Sequence, residues 1–372
     1  MTTRTRPTTP PSNFSPDYAV PPGATLEEWL EEHRMTQAEF AVRVNLSAKA
    51  LNQIIRGHAP ITQETALRFE AVTDIPARTW NALEAVYAED KARLKRNSTL
   101  AQETDFLTLV PVKALRDLGF VTEPANDKIR VLEQVLDFFG VADTHAWHEL
   151  WQAPAAAYRR SPAFKSDPGA VATWLRLGEI DASRRPLRMP FRKSALRKAL
   201  GSIRSLTLTP DPSVFVPELD RLLGETGVTV VFIPEVTGAR CSGATRWITG
   251  RPLVQLSLRH KSDDHLWFTL FHELGHVLLH PRTDVYIDGG PQDGASAAVE
   301  EEANAFARDT LIPPDHGVVL STLRRIDAIK DFAEAIGVSP GVVVGRLQHD
   351  GVIDYRTGNA LKTRYRFTGH AH

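Results

Sequence analysis

Two histidines and a glutamate in the run His272-Glu273-Leu274-Gly275-His276 are the residues of this chain best suited to chemistry. On a helix, residues four apart project from one face, so both imidazoles can bind one metal ion. The glutamate between them can take a proton from a water molecule on that ion. The spacing therefore predicts a metal-dependent hydrolytic site, provided that the surrounding segment forms a buried helix.

The surrounding segment, residues 262–281, has the features of such a helix. Ser262 or Asp263 is a suitable N-cap, Pro281 ends the helix, and apolar residues cover nearly every face. Gly275 lacks a side chain, so a strand or a ligand can approach the helix closely there. Buried imidazoles and carboxylates are costly unless they are satisfied, and a divalent metal would satisfy them. The alternative is a core helix in which the histidines are only hydrogen-bonded.

A catalytic zinc ion takes three protein ligands and a water molecule, so a third ligand is needed. Residues 299–313 predict a helix that ends before Pro313 and carries three consecutive glutamates. Glu301 points almost opposite the apolar stripe of that helix, whereas Glu300 and Glu302 flank the stripe. Small neighbours leave room for a metal beside Glu300, so the pattern favours it only slightly over Glu302.

These motifs resemble those of the ImmA/IrrE metallopeptidases, over roughly residues 210–350. The matching stretches are His272-Glu273-Leu274-Gly275-His276, Glu300-x-x-Ala303-Asn304-x-Phe306-Ala307 and Leu311-Ile312-Pro313. The resemblance implies a zincin-like domain in which His272, His276 and Glu300 bind Zn²⁺. It also implies that Glu273 is the catalytic acid/base, which takes a proton from the attacking water and passes it to the leaving amine of a peptide bond.

Other polar residues near these motifs have less specific roles. Tyr286, His316 and Arg246 are weak candidates for a second donor to the oxyanion that forms during peptide hydrolysis. His280, one turn after the motif, is expected to be a helix-end histidine close to the C-terminal dipole rather than a ligand. Cys241 is expected to be a packed cysteine in a loop, with a redox sensor or an extra zinc ligand as alternatives.

The N-terminal third predicts a different kind of site. Short helices are expected from residue 26 onward, and residues 36–39 (Thr-Gln-Ala-Glu) form a capping box. Asn45 marks a tight turn, and Ser47 caps the next helix, which ends at Gly57. Two short helices joined by a tight turn inside a small bundle predict a helix-turn-helix.

In a helix-turn-helix the second helix enters the major groove of DNA with its N-terminal residues leading. The side chains expected to face DNA are Ser47, Lys49, Asn52, Gln53 and Arg56. Asparagine and glutamine can bond adenine edges in pairs, while lysine and arginine can reach guanine or phosphate. The simpler alternative is a surface helix with ordinary polar residues.

This part of the chain resembles the XRE-type helix-turn-helix family, in its HigA-like antitoxin branch, over roughly residues 22–92. The matching stretches are Leu46-Ser47 through Leu51, Ile54-Ile55-Arg56-Gly57, Ile61-Thr62, Ala66-Leu67-Arg68, Trp80-Asn81-Ala82-Leu83 and Tyr87. The resemblance implies a homodimer that binds double-stranded operator DNA and represses its own operon. It does not imply that the protein partner is a toxin.

Helical patterns fill residues 98–205, where apolar stripes are expected to form a core. The basic segment Arg184–Arg204 is expected to be a solvated helix face or linker, with a contact to DNA phosphates or a hinge as alternatives. The runs 228–234 and 252–258 predict two strands of a small sheet. Two helices, near 326–336 and 340–348, are expected to extend the peptidase domain rather than to form a second helix-turn-helix.

The predicted fold class is mainly α with a small β-sheet (α+β): an N-terminal helix-turn-helix bundle, a helical middle region and a zincin-like metallopeptidase domain. The predicted boundaries are a disordered tail at 1–22, the DNA-binding domain at 23–95, the connecting region at 96–208, the peptidase domain at 209–350 and a C-terminal tail at 351–372. The chain has 372 residues and a formal net charge of −1, so any DNA contact must be a local patch.

No apolar run approaches about 18 residues, so no membrane span is expected. A single cysteine excludes an internal disulfide, which fits a reducing cytoplasm. Two functions are compatible with the motifs. In the first, the chain is a DNA-binding transcriptional regulator whose zinc endopeptidase cleaves a partner repressor or regulatory protein in a stress, phage or toxin–antitoxin response. In the second, it is an antitoxin and autorepressor whose zinc domain senses a signal or binds a partner, such as a toxin, with little proteolysis.

Overall fold

Helices dominate the architecture, and one four-stranded sheet is present among the described residues. The predicted α+β class is confirmed. The computed structural model describes residues 17–152, 167–185, 189–282, 286–287 and 295–367. The chain divides into two compact units, Met1–Thr104 and Asp105–His372. Most of the predicted N-terminal tail, residues 1–16, lies outside the described residues, as do residues 368–372.

The first unit is a helical bundle. Its described helices are α1 (Gly23–Glu32), α2 (Gln37–Arg43), α3 (Ala48–Ile55), α4 (Gln63–Thr73) and α5 (Ala77–Gln102). Thr36 caps α2 and Ser47 caps α3, each by accepting a hydrogen bond from the backbone N–H three residues later. Asn45 adopts a positive φ of 53° in the turn between the two helices, a conformation that asparagine tolerates better than most residues. The local signals therefore place α2 and α3 as the sequence predicts.

An aromatic core holds this bundle together. The rings of Phe40 and Phe69 meet edge to face with centroids 5.4 Å apart, and Phe69 meets Trp80 in the same way at 5.4 Å. All three side chains are fully buried. Edge-to-face pairs add to the stabilisation that burial gives, so this row of rings joins α2, α4 and α5.

The second unit contains the longer helices and the sheet. Its described helices are α6 (Val112–Asp117), α7 (Lys128–Phe139), α8 (Thr144–Trp147), α9 (Pro168–Ser183), α10 (Lys193–Ser205), α11 (Pro212–Thr226), α12 (Asp263–Leu279), α13 (Ala295–Leu311), α14 (Gly317–Leu320), α15 (Ile326–Ile336) and α16 (Pro340–His349). The apolar stripe predicted on α7 is buried, and its Phe139 packs against Trp147 and Trp151. These residues form core, as expected. Within the described ranges, no helix combines the length and apolarity that crossing a bilayer requires.

The sheet is mixed and small. Its strands are β1 (Thr229–Phe232), β2 (Gly243–Ile248), β3 (Arg251–Leu256) and β4 (Tyr286–Ile287). They lie in the order β1-β3-β2-β4; β3 is parallel to β1 and antiparallel to β2, and β4 is antiparallel to β2. The sequence predicts β1 and β3 but not β2. Positions 243–246 of β2 are all buried, so this strand lacks the polar–apolar alternation that marks a strand with one solvated face.

The helix that carries the H-E-x-x-H motif, α12, runs through the core, and nearly all of its residues are buried. Helix α13 packs directly along it. A side chain at Gly275 would lie 3.2 Å from both Cα of Ala303 and the ring of Phe306. The close approach predicted at this glycine therefore admits α13, rather than a strand or a ligand. This packing brings the glutamate-rich helix against the two histidines.

Helices α15 and α16 follow, with α16 packed on the N-terminal part of α12. Its side chains Val342, Val343 and Leu347 are buried, and added side chains at Gly341 or Gly345 would overlap the carboxylates of α12. A helix that reads DNA must expose its side chains. Its burial therefore supports the predicted helical extension of the peptidase domain over a second helix-turn-helix.

The basic segment Arg184–Arg204 divides into structural cations and exposed ones. Arg204 donates to backbone carbonyls at the C-terminal ends of α13 and α15. Arg185 forms ion pairs with Asp181 at 2.8 Å and Asp220 at 3.0 Å. The cations of α10 that stay exposed are Lys193, Arg197 and Lys198. The predicted solvated face thus exists on α10, while the two arginines bind elements of their own unit.

A buried ion pair fixes the segment after α16 to the start of α12. Lys362 donates to Asp264 at 2.6 Å and to the amide oxygen of Gln348 at 2.7 Å, and its side chain is only 8% exposed. Burial raises the pKa of Asp264, but the hydrogen bonds from Lys362 and Ser262 and the nearby positive charge of Lys362 together outweigh burial and lower that pKa. The Thr363 N–H also donates to Asp263. Part of the predicted C-terminal tail therefore belongs to the packed structure around α12.

We predict that Lys362→Met lowers the free energy of unfolding by about 3–5 kcal/mol, because it leaves a buried carboxylate without its counter-charge. Urea-induced unfolding measures the change in the free energy of unfolding. Hydrogen–deuterium exchange of peptides from α12 shows whether the loss falls on that helix. Lys198→Met, which removes an exposed lysine from α10, is the matched control and should change little. The double variant Asp264→Asn, Lys362→Met should recover part of the loss; equal stability of the two single lysine variants would contradict the role of the pair.

Candidate metal centre

Two imidazoles and one carboxylate converge between α12 and α13. The Nε2 atoms of His272 and His276 lie 3.0 Å apart. The carboxylate of Glu300 reaches both, with Oε2 at 3.2 Å from Nε2 of His272 and Oε1 at 3.4 Å from Nε2 of His276. Both histidines are at most 2% exposed, and Glu300 is 16% exposed. Within the described part of the chain, this triad is the group of side chains arranged to hold a metal ion.

The protonation states of the triad suit metal ligation. Burial raises the pKa of the Glu300 carboxyl, but its contacts with His272 and His276 outweigh burial and bring the pKa to about 2. Burial lowers the pKa of His276, and the contact with Glu300 opposes this only in part. An ionised carboxylate and a neutral imidazole are the forms that bind a divalent cation.

The outer nitrogen of His272 faces Asn304. Its Nδ1 lies 2.9 Å from Oδ1 of Asn304 on α13. Since an amide oxygen only accepts hydrogen bonds, Nδ1 carries the proton and donates it, which leaves the lone pair on Nε2. Asn304 thus selects the tautomer of His272 that a metal ion needs.

The outer nitrogen of His276 faces a longer chain of contacts. His276 Nδ1 lies 2.9 Å from Nδ1 of His280, and His280 Nε2 lies 3.3 Å from Oε2 of Glu302. A carboxylate accepts, so the proton of a neutral His280 sits on Nε2 and its Nδ1 accepts from His276. The lone pair of His276 then also sits on Nε2. Glu302, the alternative third ligand, lies outside the triad and is 65% exposed.

These contacts provide a test of whether a metal ion fits. In the tautomers just described, two imidazole lone pairs and one carboxylate face a common point, which is electrostatically unfavourable unless a cation lies there. The N–N spacing of 3.0 Å and the N–O spacings of 3.2 and 3.4 Å are close to the ~3.3 Å edge of a tetrahedral zinc site. The residues present therefore fit a tetrahedral divalent ion such as zinc.

Glu273 faces away from α13, toward the sheet. Its side chain is fully buried, and its Oε2 accepts a hydrogen bond of 2.7 Å from Oγ1 of Thr245 on β2. Gly243, two residues earlier on the same strand, lies against the carboxylate. Glu273 lies outside the group of mutually close ligand atoms, which agrees with a role other than ligation. Sequence reasoning did not find Thr245 or Gly243, because β2 carries no motif of its own.

The other residues considered from the sequence occupy varied positions. Arg246 is buried and donates to the backbone carbonyl of Leu175 at 2.6 Å on the opposite side of β2 from Thr245, so it is not placed as an oxyanion donor. His316 meets the ring of Phe332 edge to face. The side chain of Tyr286 lies outside the described residues.

The single cysteine of the chain, Cys241, lies in the second unit. Cys241 is buried in the loop before β2, and its thiol contacts the carbonyl of Ala239 at 3.3 Å. It lies outside the group of side chains around His272. The surroundings of Cys241 therefore agree with the expected packed cysteine. They do not agree with the alternative in which Cys241 is an extra ligand to the ion at His272 and His276.

The candidate DNA-contacting residues share one helix of the first unit. Ser47 is the N-cap of α3, and the others lie on α3 or at its C-terminal end. Every member of the set is exposed: Ser47, Lys49, Asn52, Gln53 and Arg56. The opposite face of α3, with Leu51, Ile54 and Ile55, is buried. All five polar side chains are thus available to a ligand.

We predict that Asn304→Ala lowers the affinity for zinc about 10–100-fold, because His272 loses the partner that fixes its tautomer and ring orientation. Competition against a chromophoric chelator measures the affinity. Asn304→Asp keeps an acceptor at the same position and should bind zinc almost as the parent does, while His272→Ala should lose stoichiometric metal. Parental affinity in Asn304→Ala would show that this contact has no part in metal binding.

Two family models match the chain. Residues 225–348 match the IrrE N-terminal-like domain of a peptidase family, and this range contains the triad and Glu273. Residues 26–80 match a helix-turn-helix family, and this range contains α2 and α3. No curated protein matches the chain. Both resemblances are confirmed at this level, whereas the HigA-like branch stays a prediction. The chain therefore joins a helix-turn-helix domain of the XRE type to an IrrE-like peptidase domain.

Proposed function

We propose that the chain is a DNA-binding regulator whose second unit is a zinc-dependent endopeptidase. His272, His276 and Glu300 would bind the zinc ion, and Glu273 would be the acid/base. The observation that carries the proposal is the convergence of the two Nε2 atoms and the Glu300 carboxylate within 3.0–3.4 Å in a buried site. Buried polar groups that converge in this way require a common partner.

The chain's own residues then have distinct tasks. A zinc ion bound by the triad would supply Lewis-acid activation of water and of a peptide carbonyl. Glu273 takes the proton of the attacking water and later delivers it to the leaving amine. Asn304 and His280 hold the two imidazoles in the tautomers that keep Nε2 free to bind metal. The buried surroundings of α12 limit access of bulk water to these groups.

The regulatory part of the proposal rests on α3. Its exposed face carries Lys49, Asn52, Gln53 and Arg56, the residue types that read base edges and phosphates in the major groove. We propose that two copies of the chain bind double-stranded operator DNA through this face. A peptidase joined to such a module would act on a protein that shares the operator, such as a repressor or another regulatory protein.

An antitoxin whose zinc domain is only a sensor or a platform is the alternative from the sequence. That function requires the three metal ligands. It gives no reason for Glu273, which is fully buried and accepts a hydrogen bond from Thr245 on β2. A buried carboxylate is costly to maintain. The position of Glu273 therefore favours catalysis over a zinc domain that is only a sensor or a platform.

We predict that Glu273→Gln retains one zinc ion per chain and abolishes cleavage of the physiological target, because the amide cannot take a proton. Affinity purification of this variant from its native cell should capture an uncleaved protein, which the parent chain then cuts in vitro. His272→Ala, which should lose both zinc and cleavage, is the control for the metal. If Glu273→Gln cuts the captured protein as fast as the parent, Glu273 is not the acid/base.

For the DNA-binding part, we predict that Asn52→Ala combined with Gln53→Ala weakens binding to a selected duplex by about 30-fold or more, since each of the two paired contacts to a base contributes about 1–3 kcal/mol. The duplex is selected from a random pool by the parent chain, and binding is measured at fixed salt concentration. Binding to random duplex should fall much less. Glu31→Gln, on an exposed position of α1, is the control. Equal losses on both duplexes would indicate contacts to the DNA backbone alone.

A further inference from the structure

Thr245 occupies an unusual position for a small polar residue of a strand. Its side chain is completely buried. Its hydroxyl lies 2.7 Å from Oε2 of Glu273 and 3.1 Å from the backbone carbonyl of the same residue. A hydroxyl has a single proton to donate, and the shorter contact is the one to the carboxylate.

The strand holds this hydroxyl in place. β2 lies between β3 and β4 in the sheet, and Thr245 pairs with Val254 on one side and with Tyr286 on the other. The pairing with β3 runs along the whole of β2, so the backbone at Thr245 has little freedom to shift. The donor therefore stands at a fixed point beside α12, and the carboxylate must orient toward it.

Gly243 limits the same carboxylate from a second direction. A side chain built at Gly243 would overlap Oε1 of Glu273 and would lie 2.6 Å from the methyl group of Thr269. Only a residue without a side chain leaves this space to the glutamate. One strand thus provides both the donor for Oε2 and the room for Oε1.

We propose that Thr245 is the positioning residue for Glu273, and that Gly243 supplies the space that this orientation requires. The inference rests on the proposed function, in which Glu273 is the acid/base. A side chain that rotates away from the reacting water by even a short distance loses most of its value as a general base. Thr245 acts through Glu273, because both contacts of its hydroxyl are with that residue.

The test uses the full chain loaded with Co²⁺, whose visible absorption reports on ligands bound to the metal. The probe is acetohydroxamic acid, whose two oxygens bind a divalent metal while its acidic proton is available to a neighbouring carboxylate. Thr245→Val should weaken the affinity for the probe about tenfold, close to the effect of Glu273→Gln. Thr245→Ser, which keeps the hydroxyl, should stay within about twofold of the parent. All variants should bind one Co²⁺ per chain.

A matched control and a second variant separate positioning from general stability. Thr173 is also fully buried, but its hydroxyl donates to a backbone carbonyl of α9; Thr173→Val should leave the affinity for the probe unchanged. Gly243→Ala keeps the hydroxyl of Thr245 and displaces the carboxylate, so it should weaken the affinity even if Thr245→Val does not fold.

The outcomes distinguish this inference from the proposed function. If Glu273→Gln weakens the affinity while Thr245→Val and Gly243→Ala both bind the probe as the parent does, Thr245 has no positioning role and the proposed function stands. If the parent chain binds no Co²⁺, or if Glu273→Gln leaves the affinity unchanged, the proposed function is wrong and the inference fails with it.

Discussion

Two imidazoles and two carboxylates lie in the apolar core of the second unit, and their burial constrains everything packed around them. His272, His276 and Glu273 are at most 2% exposed. Polar groups this deeply buried destabilise a fold unless each is satisfied. The fold meets this demand from two sides. Helix α13 supplies Glu300 and Asn304 to the histidines, and strand β2 supplies Thr245 to the glutamate.

Close packing makes both sets of contacts possible. Gly275 lets α13 approach α12 near Ala303, so that Glu300, three residues before Ala303, can reach both rings. Gly243 lets β2 approach the opposite face of α12. A side chain at either glycine would force a neighbour to move: at Gly275 the backbone of Ala303, and at Gly243 the side chains of Glu273 and Thr269. The geometry of the site then follows from the positions of one helix and one strand.

The sequence predicts the parts of this arrangement that depend on local patterns. The caps of α2 and α3, the apolar stripe of α7 and the helix around His272 all follow from residue types a few positions apart. The choice of Glu300 over Glu302 is only slightly favoured by pattern, because both flank the same stripe. The resemblance to a peptidase family implies Glu300, and the structure places the Glu300 carboxylate in contact with both histidines.

Contacts that join distant parts of the chain are the ones that the sequence does not predict. Thr245 lies 28 residues before Glu273, on a strand with four consecutive buried positions and hence no alternation. Lys362 follows its partner Asp264 by 98 residues. Neither threonine nor lysine stands out by type or by spacing, so only the folded topology shows that each meets a buried carboxylate.

The folding unit that supports the metal centre is larger than the range that matches the peptidase family. That match spans residues 225–348. Before it, Arg204 donates to the last carbonyls of α13 and α15, and charged donors near a helix C-terminus stabilise it. After it, Lys362 neutralises Asp264 at the N-terminal end of α12. Since α12 and α13 carry all the ligands, these flanking cations stabilise the two helices at the ends farthest from any bound metal. A domain cut at the limits of the family match would lose Lys362 and Thr363, the partners of Asp264 and Asp263. The loss would fall on the helix that holds His272 and His276.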